Sequence, residues 1–91
     1  PGMIAGNVTI VNKLGLHARA ASRLVNCASG YASEIRIVRG ARAVNAKSIM
    51  GVLTLAAARG AELVIEVEGA DQQQALEALT ALIEGRFGED E

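Results

Sequence analysis

The spacing of apolar residues along the chain predicts strands and helices in alternation. Val8 and Ile10 lie two positions apart and therefore on one face of a short strand. From about Ala18 to Ala28, apolar residues recur every three or four positions, which predicts a helix that ends at Gly30. The N-terminal part of the chain is therefore expected to be a strand followed by a helix.

Two strands and a short helix are predicted in the middle of the chain. Residues 34–38 alternate polar and apolar side chains, which is typical of a half-buried strand. Residues 43–45 predict a short return strand after a turn at Gly40. Ser48 is suited to cap a short helix that runs to about Leu55.

The last strand and the last helix have the clearest patterns. Residues 62–68 place glutamates on one face of a strand and apolar residues on the other, namely Leu63, Ile65 and Val67. A sheet with one polar face is typically antiparallel. Asp71 is expected to open the final helix, with Gln74 completing a near capping box, and Gly85 to end it. The apolar stripe of this helix consists of Leu76, Leu79, Leu82 and Ile83.

The predicted order of elements, β-α-β-β-α-β-α, defines the fold class. One antiparallel sheet with the helices packed on a single face is the simplest arrangement that buries every apolar stripe, so an α+β fold is expected. Residues 1–91 are expected to form a single domain, because a chain of 91 residues has room for only one. Residues 1–3 are expected to be a flexible or extraneous N-terminus. Residues 86–91 are expected to be an acidic tail, frayed at residues 89–91.

Composition and charge exclude several classes of function. A hydrophobic content of 51% supports a folded core, while a net charge of −1 and two aromatic residues argue against nucleic-acid binding. One cysteine and one histidine cannot supply a structural zinc site, and no cofactor is expected. No leader and no bilayer-spanning run is recognised, which favours a cytoplasmic protein.

His17, the only histidine, lies where the first predicted helix begins. The first turn of a helix presents backbone N–H groups without intrahelical partners, and the helix dipole adds positive potential there. This field disfavours protonation of the imidazole, so the ring is expected to stay nucleophilic. The backbone N–H groups of Ala18 and Arg19, with the Arg19 side chain, could then bind the oxygens of an attached phosphoryl group. A capping or surface histidine is the alternative that position alone leaves open.

A second notable segment is residues 45–55. Lys47-Ser48 is similar to the end of a phosphate-binding P-loop, but Ala46 replaces the required glycine and that interpretation is rejected. As a helix cap, Ser48 needs no further function. The helix that follows has too many apolar residues for all to face inward, so an exposed contact surface is expected, to which Met50 is suited.

These two segments resemble those of HPr, the histidine-containing phosphocarrier family of the bacterial phosphoenolpyruvate-dependent phosphotransferase system (PTS). The resemblance rests on Gly-Leu-His-Ala-Arg at residues 15–19 and Lys-Ser-Ile-Met-Gly at 47–51, at the family's separation. It implies an open-faced β-sandwich with four antiparallel strands and three helices on one side. It also implies a phosphoryl-transfer intermediate rather than an autonomous enzyme.

The resemblance implies roles for individual residues. His17 would accept a phosphoryl group on Nδ1 from enzyme I and donate it to an enzyme IIA domain, with Arg19 stabilising the group. Ser48 would be phosphorylated by an HPr kinase/phosphorylase. A monomer is expected, and its partner-binding residues would be Ser22, Arg23, Asn26, Lys47, Ile49, Met50 and Leu53. Ala20 stands where the family often has proline, which predicts an altered transfer rate rather than loss of function.

Three alternatives remain open at this point. The first is a regulatory binding module in which phosphorylated Ser48 recognises another protein. The second is a carrier of the nitrogen-related PTS branch, which the tail at residues 85–91 favours, whereas the segment at 47–51 favours a kinase-regulated HPr. The third, a small ligand- or metal-binding domain, is disfavoured by the shortage of His and Cys.

Overall fold

The structure is a computed structural model that describes residues 2–91. It contains four strands and three α-helices in the predicted order, followed by a 3-10 turn. The elements are β1 (Ile4–Thr9), α1 (Ala18–Ser29), β2 (Glu34–Arg39), β3 (Arg42–Asn45), α2 (Ile49–Leu53), β4 (Glu62–Glu68), α3 (Gln72–Glu84) and the turn Arg86–Gly88. The strands form one antiparallel sheet in the order β1-β4-β2-β3.

One face of the sheet is buried beneath the helices, as the alternation of residues predicts. On β4, one of the two inner strands, Leu63, Ile65 and Val67 are buried, while Glu62 and Glu68 are exposed. Helix α3 packs on β1 and β4, and α1 packs against α2 and α3. The predicted open-faced α+β fold with four antiparallel strands and three helices is therefore confirmed.

Some element boundaries differ from those predicted. Strand β1 begins at Ile4 and ends before the fully buried Ile10, and α2 stops at Leu53. On α3 the buried stripe includes Ala75 as well as Leu79 and Ile83, while the predicted Leu76 and Leu82 are only half-buried. No helix within residues 2–91 combines the length and the apolar character needed to cross a bilayer.

The predicted capping box at the start of α3 is wrong. Asp71 stands at the N-cap but makes no capping hydrogen bond with its side chain. Its carboxylate instead accepts hydrogen bonds from Ala32 N at 2.8 Å and from Ser33 N and Oγ at 3.0 and 2.5 Å. The long-range contact prevails because Ser33 is buried and needs partners for its polar groups. Asp71 thus ties the turn before α3 to the turn before β2.

Replacing Asp71 with Ala is expected to lower the melting temperature at pH 7 and much less in acid. The hydrogen bonds from Ser33 Oγ and Ala32 N hold the pKa of Asp71 below its usual value. A lowered pKa in the folded state stabilises the fold above the pKa of the unfolded chain, and this stabilisation is lost as the pH falls through the folded-state pKa. The difference from wild type should therefore shrink below about pH 4.

Thermal unfolding across this pH range measures the effect. Asp90→Ala serves as the control, since Asp90 is an exposed carboxylate near the chain end. A difference between wild type and Asp71→Ala that does not change with pH would contradict the assignment.

The chain turns back onto the domain at residues 86–89, where an acidic tail is expected from the sequence. Arg86 and Phe87 both adopt left-handed backbone conformations, with φ of 60° and 54°. This bend turns the chain inward, so that the Phe87 ring is only 1% exposed. Left-handed geometry costs on the order of 1 kcal/mol for a residue with a side chain, and burial of a phenylalanine ring offsets it.

The N-terminus is attached to α3 by one contact. Gln72 Nε2 donates to the Gly2 carbonyl at 2.9 Å, while its Oε1 accepts from Gly69 N at 3.1 Å. This hydrogen bond connects Gly2 to α3. The expected flexible N-terminus at residues 1–3 stays a prediction, and Pro1 lies outside the described residues.

Candidate functional site

His17 is the N-cap residue of α1, which confirms its predicted position at the helix start. Its backbone is extended, with φ −74° and ψ 179°, and its Nδ1 accepts a hydrogen bond from Arg19 N at 3.3 Å. The Nδ1 lone pair therefore points toward the N–H groups of the first helical turn. The His17 side chain is 29% exposed, so the ring is accessible rather than sealed in the core.

The loop before His17 is held from one side by the segment between α2 and β4. Leu16 N donates to the Ala57 carbonyl at 2.8 Å, and the Leu16 side chain is buried in the core. Gly15 adopts a left-handed conformation with φ +67°. A Cβ atom at Gly15 would lie only 2.6 Å from the Ala57 oxygen, so the loop passes too close to this segment for any side chain.

The C-terminal segment contacts the other ring nitrogen of His17. Nε2 lies 2.6 Å from Glu89 Oε2, and the Glu89 side chain is 16% exposed. The buried Asn12 donates through Nδ2 to Glu89 Oε1 at 2.9 Å and to the Gly15 carbonyl at 2.8 Å. The hydrogen bond from Asn12, followed by that from His17, holds the pKa of Glu89 below its usual value, so the carboxylate is ionised at neutral pH.

Two further contacts keep this segment in place. The Arg23 guanidinium on α1 donates a short hydrogen bond to the Phe87 carbonyl. Lys13 N donates to the Glu91 carbonyl at 2.6 Å, while the Lys13 ammonium lies 3.8 Å from the Glu91 carboxylate. Arg23, which the resemblance assigns to partner binding, therefore also positions the C-terminal segment.

Arg19 is the second residue of α1, within its first turn, and is exposed. Within residues 2–91 its guanidinium forms no ion pair with a carboxylate. It is therefore accessible to an external anion. The other α1 residues assigned to partner binding, Ser22 and Asn26, are exposed as well.

Helix α2 carries the exposed apolar side chains that the sequence predicts. Ile49 is 38% exposed and Met50 is 71% exposed, while Leu53 is half-buried. Ser48 caps the helix, with its Oγ accepting from Gly51 N at 3.1 Å. The Lys47 side chain forms a hydrogen bond within the protein, since its ammonium donates to the Tyr31 carbonyl at 2.7 Å.

Sequence reasoning missed three features of the site. Leu14, which is 69% exposed, adds an apolar side chain to the loop before His17. Asn12 and Glu89 were also missed, and Glu89 lies 72 positions from His17 along the chain. Phe87 was the available signal, because a lone apolar aromatic residue near the chain end indicates that the segment returns to the core.

The chain matches the family model described as "PTS HPr component phosphorylation site" over residues 4–85. It is 49% identical to the phosphocarrier protein HPr of Cupriavidus necator over 98% of this chain and 100% of the relative. It is 44% identical to the phosphocarrier protein NPr of Shewanella violacea over 90% of both chains. A crystal structure of HPr-C-His from Thermoanaerobacter tengcongensis superposes with a TM-score of 0.93 at 41% identity, covering 97% of this chain and 99% of the other.

A fold and a site of this kind define a small phosphocarrier domain. The chain belongs to the HPr family of phosphocarrier proteins of the PTS.

Proposed function

We propose that this phosphocarrier accepts a phosphoryl group on His17 Nδ1 from enzyme I and passes it to an enzyme IIA domain. The observation that carries the proposal is the direction of Nδ1, which accepts the Arg19 N–H at the start of α1. A phosphoryl group on this nitrogen would lie at the positive end of the helix. Backbone N–H groups of Ala18 and Arg19 and the free Arg19 guanidinium could bind its oxygens there.

The same arrangement supports release as well as uptake. The site holds its ligand with hydrogen bonds and one flexible cation on an exposed surface, all of which a docking partner can replace. A P–N bond on the ring would be accessible to a partner's nucleophile, because the His17 side chain is 29% exposed. The protein is therefore a carrier that depends on partner enzymes for both steps.

Incubation of the protein with enzyme I and phosphoenolpyruvate tests this proposal. We expect one phosphate per chain, labile in acid and stable in alkali, which then moves to an added enzyme IIA domain. Absence of any phosphate after incubation with active enzyme I would contradict the proposal.

We further propose that Ser48 is a regulatory phosphorylation site and that Ile49, Met50 and Leu53, with exposed residues of α1, form the partner-docking surface. Ser48 immediately precedes the exposed apolar residues of α2. Negative charge at Ser48 would add a desolvation cost to docking and would repel a negatively charged partner site.

Replacing Ser48 with Asp is accordingly expected to slow phosphoryl transfer from enzyme I, chiefly by raising KM. Ser48→Asn is the matched control, because asparagine, like aspartate, is a strong N-cap residue but adds no charge. Steady-state transfer kinetics with both variants isolate the effect of the charge. Equal rates for Ser48→Asp and Ser48→Asn would contradict the regulatory role.

A carrier of the nitrogen-related branch is the second candidate. It is favoured by the match to an NPr protein and by the C-terminal segment, which is built into the site. Competition between the enzyme IIA domains of the two branches for the phosphorylated protein separates the candidates, since the physiological acceptor should be phosphorylated fastest.

A further inference from the structure

We propose that Glu89 is a positioning residue for His17: it keeps the proton on Nε2, leaves the Nδ1 lone pair free, and offsets the positive charge of the phosphorylated ring. This inference rests on the proposed function of His17 as the phosphoryl-carrying residue. Its basis is the contact of 2.6 Å between Nε2 and Glu89 Oε2.

The contacts at the two ring nitrogens select the same tautomer. An ionised carboxylate can only accept hydrogen bonds, so Nε2 must carry the proton that it shares with Glu89. Arg19 N donates to Nδ1, so Nδ1 must present its lone pair. A hydrogen bond at one imidazole nitrogen is the usual means of fixing which nitrogen is free to react.

Glu89 is itself held by the side-chain amide of Asn12, whose orientation is fixed. The two N–H bonds of the Asn12 amide point to Glu89 Oε1 and to the Gly15 carbonyl. An exchange of the amide nitrogen and oxygen would place the Asn12 carbonyl against the Gly15 carbonyl, which is repulsive. Asn12 is fully buried, and its Oδ1 has no hydrogen-bond partner within residues 2–91, so the side chain acts only as a donor. The position of the Glu89 carboxylate is therefore fixed by the Asn12 donor.

The backbone around Glu89 supports the same contact. Phe87 is buried and its carbonyl accepts from Arg23, which fixes the chain two residues before Glu89. The Glu91 carbonyl accepts from Lys13 N, which fixes the chain two residues after it. Of the charged groups nearby, Arg23 on α1 acts on Glu89, while Lys13 on the loop is paired with Glu91. Glu89 supplies the carboxylate that contacts the ring.

Phosphoryl transfer to His17 does not require the Nε2 proton to move. When a phosphohistidine on the donor protein reacts, its P–N bond breaks and the electron pair stays on the donor nitrogen. The Nδ1 lone pair of His17 forms the new P–N bond, and the ring gains a positive charge while Nε2 keeps its proton. The Glu89 carboxylate lies next to that charge, and transfer to the next protein reverses these changes.

Replacing Glu89 with Ala removes both the acceptor and the charge. We expect kcat for phosphoryl transfer from enzyme I to fall about tenfold or more, by comparison with groups that orient reactive imidazoles. KM should change little, because Glu89 contacts the ring rather than a partner. Glu89→Gln should recover part of the rate, since its amide oxygen can accept from Nε2 but carries no charge.

Asp90→Asn is the matched control. It removes a carboxylate from the same segment, but Asp90 is exposed and forms no ion pair within residues 2–91. Its rate should equal that of wild type. Thermal unfolding of each variant verifies that the fold is retained.

The tautomer of unphosphorylated His17 provides a second measurement. It would not change on replacement of Glu89 if that residue had a purely structural role. Ring ¹⁵N chemical shifts at neutral pH should show a proton on Nε2 in wild type and in Glu89→Gln, and a mixture of tautomers in Glu89→Ala. If wild type is phosphorylated but Glu89→Ala keeps both its rate and its tautomer, the positioning role is wrong and the proposed function stands. If wild type accepts no phosphate, the proposed function fails, and the role of Glu89 in transfer fails with it.

Discussion

Replacement of His17 with Ala is expected to abolish phosphoryl acceptance from enzyme I completely. His17 is the only histidine in the chain, so no other imidazole can form an acid-labile, alkali-stable phosphate. The effect should be all-or-none, because the variant lacks the nucleophile rather than a group that assists it. Radiolabelled phosphoenolpyruvate with enzyme I measures the incorporated phosphate directly.

The loss of His17 also removes a helix cap, which must be separated from the loss of the nucleophile. The His17 side chain accepts from Arg19 N, and removal of a capping group costs about 1 kcal/mol. His17→Asn is the matched control, since asparagine is a strong N-cap residue that cannot accept the phosphoryl group. Both variants should be inactive, with His17→Asn the more stable of the two. Acid-labile labelling of either variant would show that the carrier residue has been assigned wrongly.

Replacement of Gly15 with Ala should destabilise the protein by about 2–5 kcal/mol. A side chain in the left-handed conformation costs about 1–2 kcal/mol, and forcing a methyl group into a filled space costs about 1–3 kcal/mol more. Both costs apply, because Gly15 has φ +67° and its Cβ would meet the Ala57 oxygen at 2.6 Å and the Ala58 Cα at 2.9 Å. The loop that carries His17 would have to move, so the transfer rate should fall as well.

Gly40→Ala separates these two costs. Gly40 has a similar φ of +58°, but nothing lies within 4 Å of its added Cβ. The free energy of unfolding of Gly40→Ala should therefore fall only by the conformational cost, about 1–2 kcal/mol, and the variant should keep the wild-type transfer rate. Urea unfolding monitored by far-ultraviolet circular dichroism gives both stabilities. Equal losses for the two variants would mean that the close approach of Gly15 to the segment at Ala57 is not important for the fold.

The sequence was sufficient to predict the fold because its local signals agree with one another. The alternation on residues 62–68 is the pattern of a strand with one buried face, and this strand is one of the two inner strands of the sheet. Gly30 and Gly85 were predicted to end helices, and they are the C-cap residues of α1 and α3. The prediction failed at Asp71, where hydrogen bonds to a distant turn replace the local cap, and local patterns contain no information about such a partner.

The site was only partly predictable for the same reason. His17 was recognised from its position at a helix start, which is a local property. Glu89 was assigned to a frayed tail because a short acidic run is usually solvated. Its role depends on the left-handed bend at Arg86 and Phe87 and on the buried donor Asn12. Phe87 indicates that the segment returns to the core, but nothing near Glu89 in the sequence identifies Asn12 as its partner.

The central claim is that His17 Nδ1 carries the phosphoryl group at the start of α1. The most direct test is NMR spectroscopy of the protein labelled with ¹⁵N in its histidine ring and phosphorylated by enzyme I. The account predicts a ³¹P–¹⁵N coupling to Nδ1 and a proton on Nε2. A coupling to Nε2, or a phosphate on any residue other than His17, would contradict it.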